Sequence, residues 1–109
     1  MTSLLQKYCV ACEGGTPPMP LEQAQEMLAE VPGWALEENT LVRKFRLKNF
    51  KEAMAFVNRV ADLAEAEGHH PDIHISWNRV RLELTTHAIK GLSENDFIMA
   101  AKINALAEG

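Results

Sequence analysis

The chain has 109 residues, of which 47% are hydrophobic and 24% charged, a composition typical of one globular domain whose core needs no disulfide or metal. Its net charge of -4 argues against nucleic acid as the main partner, because phosphate binding needs clustered Lys and Arg. The sequence shows no apolar run near the ~20 residues of a membrane span and no N-terminal signal pattern, so we expect a cytoplasmic protein without a membrane span.

Residues 1–20 are predicted to form an N-terminal arm, and residues 21–109 a single folded domain. The arm contains Cys9 and Cys12, which are followed by two glycines and three prolines, and this density of Gly and Pro breaks regular structure. The Cys-x-x-Cys spacing would suit redox chemistry or half of a zinc site. Because there is no second Cys pair and no strand–helix context, an incidental or weakly functional pair is the favoured interpretation.

A helix and a hairpin come next in the chain. Apolar residues at helical spacing predict a helix over 21–30, with Leu21 in its buried stripe. Alternating residues then predict two strands, at 34–36 and 41–47. One face of the second strand is mostly polar, which is typical of an antiparallel sheet with one solvated face.

Four basic residues cluster in and just after the second strand. Three of them occupy alternate positions, so a solvated strand face explains them more simply than a patch for binding phosphate. The four residues are Arg43, Lys44, Arg46 and Lys48.

A long second helix is predicted between Asn49, a plausible N-cap, and Gly68, a residue type suited to a helix end. Pro71 disfavours helical geometry at His70, so the helix should not continue past Gly68. The apolar residues at helical spacing form a wide stripe for packing on a sheet. They are Phe50, Ala53, Met54, Val57, Val60, Ala61 and Ala64.

A second hairpin and a third helix complete the chain. The alternation of Ile73, Ile75 and Trp77 with polar residues predicts a half-buried strand, followed by a turn at Asn78-Arg79 and a return strand to Thr85. Ser93 can cap the third helix, with Asp96 placed as in a capping box; its apolar contacts would come from Phe97, Ile98, Ala101 and Leu106. The order helix, two strands, helix, two strands, helix predicts an α+β fold: a four-stranded antiparallel sheet with helices packed on one face.

The residues with the clearest chemistry lie where the second helix ends. Two adjacent buried histidines, His69 and His70, would cost free energy unless each found a partner, but at a helix end both rings can face a cleft. Glu65 lies one helical turn before His69, and His87 could bring a third imidazole to the same cleft. Such a cluster of titratable groups indicates acid–base chemistry without a covalent nucleophile.

The histidines could instead bind zinc, and the two tryptophans could belong either to a pocket or to the core. His70 and His74 have the spacing of helical zinc ligands, but Pro71 between them opposes the helix which that spacing requires. His74 alternates with apolar residues, so we expect it to face solvent. Trp34 and Trp77 could each wall a pocket for a flat heterocycle, but a core position is favoured for both, and more clearly for Trp77 because it shares the parity of the strand's isoleucines.

At these residues the sequence resembles the pterin-4a-carbinolamine dehydratase family, also known as a dimerisation cofactor of a homeodomain transcription factor. The shared pattern is an acidic residue, His-His-Pro, an aromatic, a histidine and a later Asp, at matching spacings. Here these are Glu65, His69-His70-Pro71, Trp77, His87 and Asp96. The resemblance covers roughly Leu21 to the C-terminus.

The resemblance implies an activity and a set of roles. The substrate would be 4a-hydroxytetrahydropterin (4a-hydroxytetrahydrobiopterin), dehydrated to quinonoid dihydropterin and water, which recycles tetrahydrobiopterin for aromatic amino acid hydroxylases without a metal or other cofactor. His69 and His87 would protonate the leaving hydroxyl, while His70 would bind the ring and remove a proton. Further residues would orient the histidines, bind the pterin or shape its pocket: Glu65, Pro71, Trp34, Thr86, Ala88 and Asp96.

The resemblance also implies a homodimer or a homotetramer. An open edge of the sheet, or the apolar side of a helix, would serve as the interface. Two other functions stay open: a non-catalytic protein-binding or assembly factor on the same fold, and a zinc-binding protein that uses the histidines. The complete set of three histidines and a glutamate argues against a purely non-catalytic role.

Overall fold

The computed structural model describes residues 4–7 and 17–108, so Cys9 and Cys12 lie outside the described residues and their role stays a prediction. The elements alternate in the predicted order. They are α1 (Leu21–Met27), β1 (Ala35–Glu37), β2 (Thr40–Arg46), α2 (Phe50–Glu67), β3 (Asp72–Ser76), β4 (Arg79–Leu84) and α3 (Glu94–Glu108), with single 3-10 turns at Leu4–Gln6, Leu28–Glu30 and His87–Ile89.

The four strands form one antiparallel sheet in the order β1-β2-β4-β3. On its inner face, Leu41, Leu82 and Leu84 are fully buried. On the other face Arg46 and Arg79 lie opposite each other, and both are exposed. The predicted α+β fold, with a four-stranded antiparallel sheet and helices on one side, is confirmed.

Helix α2 begins and ends as predicted. The Asn49 side chain accepts a hydrogen bond from the Glu52 N–H at 2.9 Å, which satisfies one of the free donors of the first turn. At the other end Gly68 is left-handed, with φ of 68°, and its N–H donates to the Ala64 carbonyl. Glycine takes this conformation without a Cβ clash, so the chain leaves the helix sharply and His69 follows directly on its last turn.

Helix α3 lies at the centre of the core. Its first turns are buried nearly all round, as expected of a helix enclosed by other elements; Phe97, Met99 and Ala100 have no exposed surface. It packs against α2, β4 and the N-terminal 3-10 turn, where Leu4 is only 6% exposed and belongs to the core cluster. The interpretation of the first 20 residues as an arm did not anticipate this contact.

Two residues predicted to be in buried stripes are exposed. Leu21 is 59% exposed and Phe50 is 50% exposed, and each is the first residue of its helix. Helical spacing shows which side of a helix is apolar. It does not show how far along the helix the packed elements cover that side. The buried aromatic of α2 is instead Phe56, whose ring lies 4.8 Å from that of Phe45.

The core position predicted for Trp77 is wrong. Its side chain is 63% exposed and its φ is 52°, because the β3–β4 turn is formed by Trp77-Asn78 and not by Asn78-Arg79. Asn78 is the buried residue of this turn, and its side-chain amide donates to the Leu47 carbonyl at 3.0 Å. The turn begins one residue earlier than alternation predicted, so Trp77 does not share the environment of Ile73.

Candidate active site

The end of α2 and the start of α3 meet through one short contact. His69 Nε2 lies 2.6 Å from Asp96 Oδ1, and the two side chains are 13% and 0% exposed. Asp96 occupies the third position of α3, and His69 is the first residue after the Gly68 cap. Two positions that are 27 residues apart in the sequence are thus joined in a nearly dry environment.

The other oxygen of Asp96 is also fully engaged. Asp96 Oδ2 accepts from the Ser93 backbone N–H at 2.9 Å and from the Thr86 hydroxyl at 2.8 Å. The Thr86 and Ser93 hydroxyls are 2.8 Å apart. Because the single Thr86 proton goes to Asp96, the Ser93 hydroxyl must be the donor to Thr86. The predicted capping box is therefore present in part: Asp96 binds the cap backbone, while the Ser93 hydroxyl turns to Thr86.

This network assigns the proton on the His69 ring. An ionised carboxylate only accepts hydrogen bonds, so the proton is on Nε2 of His69, which donates the hydrogen bond to Asp96. Within residues 4–7 and 17–108 the other ring nitrogen, Nδ1, makes no hydrogen bond; it can accept a proton on the neutral ring, and it can give one only after the ring has been protonated. Carboxylates that orient an imidazole in this way fix both its tautomer and its rotation.

A second histidine–carboxylate pair lies beside the first. His70 Nε2 is 2.6 Å from Glu65 Oε2, with side-chain exposures of 59% and 78%. Glu65 was expected to face the same cleft as His69, but its hydrogen bond is to His70. The His-His dipeptide thus presents one largely buried pair and one solvent-exposed pair.

The other predicted site residues differ in their exposure and in their contacts. His87 is exposed and begins the 3-10 turn directly after Thr86, so it is linked to the network through its neighbour; within residues 4–7 and 17–108 its ring makes no hydrogen bond or ion pair. Pro71 is buried and Ala88 is exposed. The structure joins His69, Thr86 and Asp96 directly, and it brings His87 only to the next position.

Trp34 has a structural partner away from the histidines. It is 6% exposed, and its indole N–H donates to Asn104 Oδ1 at 2.8 Å. Asn104 also binds Arg43 and the Pro32 carbonyl. It lies eight residues after Asp96 on α3, or about 12 Å at the helical rise. The pocket-lining role of Trp34 stays a prediction, and the need of a buried indole for a partner was the signal that could have indicated Asn104.

Across the described segments, no group of three or more His, Cys, Asp or Glu side chains is arranged to hold a metal ion. His74 is exposed, as expected, and its Nε2 lies 3.5 Å from Glu83. No helix in the described part of the chain is both long and apolar enough to cross a membrane.

Comparison with known proteins supports the resemblance. A family model described as pterin 4 alpha carbinolamine dehydratase matches residues 17–106. The chain belongs to this family. A Methylococcus capsulatus protein provisionally named pterin-4-alpha-carbinolamine dehydratase is 52% identical over 107 residues, which is 96% of this chain and 94% of that protein. A similarly named Halorhodospira halophila protein is 49% identical, with 95% and 97% covered.

Two solved structures share the fold. A Brucella melitensis protein described as a transcriptional coactivator/pterin dehydratase matches with a TM-score of 0.78 and 34% identity, covering 83% of this chain and 98% of that one. A pterin dehydratase-like protein identified as a RuBisCO assembly factor in the alpha-carboxysome matches with a TM-score of 0.57 and 25% identity, covering 68% and 86%.

Proposed function

We propose that the protein dehydrates 4a-hydroxytetrahydropterin to quinonoid dihydropterin, in the recycling of tetrahydrobiopterin. Family membership supports a dehydratase, and the observation that favours histidine acid–base catalysis is the adjacency of two histidine–carboxylate pairs at the end of α2. Each pair leaves one ring nitrogen free for a proton transfer.

The reaction needs one proton given and one removed. The 4a-hydroxyl leaves as water once it is protonated, and N5 loses its proton as the C4a–N5 double bond forms. In this proposal His87 and His69, the latter protonated on Nδ1 as well as on Nε2, supply the proton to the hydroxyl, and His70 removes the one on N5, with Glu65 holding its ring. Pro71, Thr86 and Ala88 would shape the pterin site, and no step invokes a metal.

The decisive experiment follows the decay of enzymatically generated 4a-hydroxytetrahydropterin by its ultraviolet absorbance. Wild type should accelerate the decay, and His70→Ala should lose most of the acceleration, by the ~10²-fold or more that general acid–base groups contribute. His74→Ala is the matched control, because His74 is an exposed histidine on the sheet. If folded wild type does not accelerate the decay, or if both variants retain full activity, the proposal is wrong.

A second candidate function is protein binding. It is favoured by the solved relatives, whose descriptions name a coactivator and an assembly factor. A partner captured at equal stoichiometry by wild type and by His70→Ala would support a role independent of the histidines. Loss of capture in the histidine variant would tie binding to the candidate active site instead.

We further propose that the chain self-associates as a homodimer or homotetramer through strand β3. This strand is an edge of the sheet, and Ile75 within it and Trp77 just after it are 39% and 63% exposed. Sedimentation equilibrium should show an oligomer that Ile75→Lys dissociates. A monomeric wild type at all concentrations, or an oligomer unaffected by this change, would overturn the assignment of the interface.

A further inference from the structure

The outer face of the sheet places like charges opposite one another. In the β2–β4 register Arg46 is paired with Arg79 and Lys44 with Arg81. Directly opposed like charges destabilise a sheet. Arg81 is compensated by Glu83 at 2.6 Å and Glu37 at 3.3 Å.

The other three cations of these pairs lack such compensation. Lys44, Arg46 and Arg79 are exposed, and within residues 4–7 and 17–108 none of them forms an ion pair. The whole chain carries a net charge of -4, so the positive charge of this face is opposite in sign to that of the protein. An unrelieved basic patch on an acidic protein suits an anionic partner.

Strand β2 also has an open backbone edge at the same place. The Leu47 N–H donates to the Asn78 carbonyl at 2.7 Å, and antiparallel hydrogen bonds alternate along a strand. Phe45 therefore bonds toward β4, while the backbone groups of Lys44 and Arg46 point away from it. On that side β1 pairs only with Thr40–Val42, so no strand of the described chain covers Lys44 and Arg46.

Two grooves flank this open edge. One of about 320 Å³ is lined by β2 residues together with Phe56 and Arg59 of α2. The other, of about 440 Å³, crosses the outer face and is lined by Lys44, Arg46 and Arg79, among others. Backbone groups, basic side chains and concave surface thus coincide over a few residues of one strand.

We propose that an extended acidic peptide segment of a partner protein adds to the sheet along Lys44–Arg46. Its backbone would hydrogen-bond to the free groups of these residues, and carboxylates at alternate positions would face Lys44, Arg46 and Arg79. The existing contact of Arg81 in β4 with Glu37 in β1, at 3.3 Å, shows that a carboxylate from another strand can reach a guanidinium on this face. This surface is separate from the histidine site at the end of α2.

The proposal is tested by fluorescence anisotropy with a rhodamine-labelled peptide of alternating Glu and Val. We expect saturable binding to wild type and about tenfold weaker binding to Arg79→Glu, which corresponds to about 1.4 kcal/mol. Lys90→Glu is the control: it makes the same charge change beyond the far end of β4 and should bind like wild type. A version of the peptide N-methylated at every second residue keeps the charges but cannot pair with the edge, so it should not bind.

A stability measurement separates loss of the surface from loss of the fold. Arg79→Glu turns the repulsive pair with Arg46 into an attractive one, so its melting temperature should rise while peptide binding falls. The double variant Arg46→Glu/Arg79→Glu restores repulsion and should lose this gain without recovering binding.

Five results would overturn the proposal. The acidic peptide could fail to bind, or the N-methylated peptide could bind equally well. Lys90→Glu could weaken binding as much as Arg79→Glu does. A thymidine oligonucleotide of equal charge could bind more tightly than the peptide, which would assign the patch to nucleic acid. Self-association abolished by Arg46→Glu would assign the edge to a second copy of the chain.

Discussion

At the scale of single residues, Asp96 is the residue of the candidate site that binds the most partners. Its carboxylate accepts from His69, Thr86 and the Ser93 backbone in a fully buried position. Asp96→Asn replaces one acceptor oxygen by a donor, so at least one buried donor loses its partner. We expect a loss of about 2 kcal/mol in the free energy of unfolding, measured in urea.

Thr86→Val is the control for this prediction. It removes one hydroxyl, which donates to Asp96 and accepts from the half-buried Ser93, and it leaves the His69–Asp96 contact in place. Because the Ser93 hydroxyl can turn to water, the change should cost about 1 kcal/mol. An Asp96→Asn variant as stable as wild type would contradict the hydrogen-bond assignment. In the dehydratase assay the Asn variant should also lose more activity than the Val variant, because only the first disturbs the proton on His69.

The same substitution should change the free energy of unfolding by different amounts at the two tryptophans. Trp34→Phe removes the indole N–H bound to Asn104 and leaves unfilled space in the core, so we expect a loss of about 2 kcal/mol. Trp77→Phe changes an exposed side chain and should alter stability by less than about 0.5 kcal/mol. Urea unfolding at a concentration where the chain is monomeric gives both values, and equal losses would contradict the assigned burial.

At the scale of secondary-structure elements, the end of α2 sets the position of the two adjacent histidines. Gly68 has φ of 68°, and no atom lies within 4 Å of the place where a Cβ would stand. Gly68→Ala should therefore cost about 1 kcal/mol through backbone strain alone. Gly68→Asn should cost less, because Asn tolerates the left-handed region. Thermal unfolding would show this order, and a reversed order would exclude backbone strain as the cause.

The outer face of the sheet predicts a pH dependence. The hydrogen bond from Arg81 holds the pKa of Glu83 below its ordinary value of 4.5. A lowered folded-state pKa contributes stability above the unfolded-state value, and this stability is lost as the pH falls through the folded pKa. Glu83→Gln should thus be slightly less stable than wild type at neutral pH and equal to it in strong acid.

The control for this comparison is Glu26→Gln, an exposed position on α1. It removes one negative charge without removing a hydrogen bond to an arginine. Urea unfolding across the acid range should show no pH-dependent difference from wild type for this variant. A difference as large as that of Glu83→Gln would assign the effect to net charge.

The sequence predicted the elements whose signals are local. The Asn49 cap, the Gly68 stop and the strand alternation all act within a few residues, so the fold class followed from them. The exposure of Phe50 and Trp77 could not be predicted from these local signals. It depends on where the layer next to α2 ends, for Phe50, and on where the hairpin turns, for Trp77.

The candidate site shows the same division. The residue types and the helix end were visible in the sequence, whereas the partners were not. Asp96 pairs with His69 only because α2 and α3 meet in space, whereas the Glu65–His70 pair forms between two residues that are five positions apart at the end of α2.

At the scale of the whole molecule, the core is closed by the start of the chain. Leu4 is 6% exposed and packs with the buried residues around α3, and Lys7 forms an ion pair with Glu94 at 3.2 Å. Leu4→Ala should cost about 2 kcal/mol, the low end for a buried leucine, because a terminal turn can partly collapse into the space. Lys7→Ala, which removes only an exposed ion pair, should cost less than about 1 kcal/mol. Equal effects in urea unfolding would contradict the core assignment.

The contacts of Asp96 also determine how this region opens. One carboxylate joins the residue after the cap of α2, the segment after β4 and the start of α3. Local unfolding that frees Asp96 therefore releases all three segments together, as one cooperative unit of hydrogen exchange. The amide of Ser93 and the ring of His69 should share a single opening free energy, so that Ser93, Thr86 and His69 are either all held by Asp96 or all released.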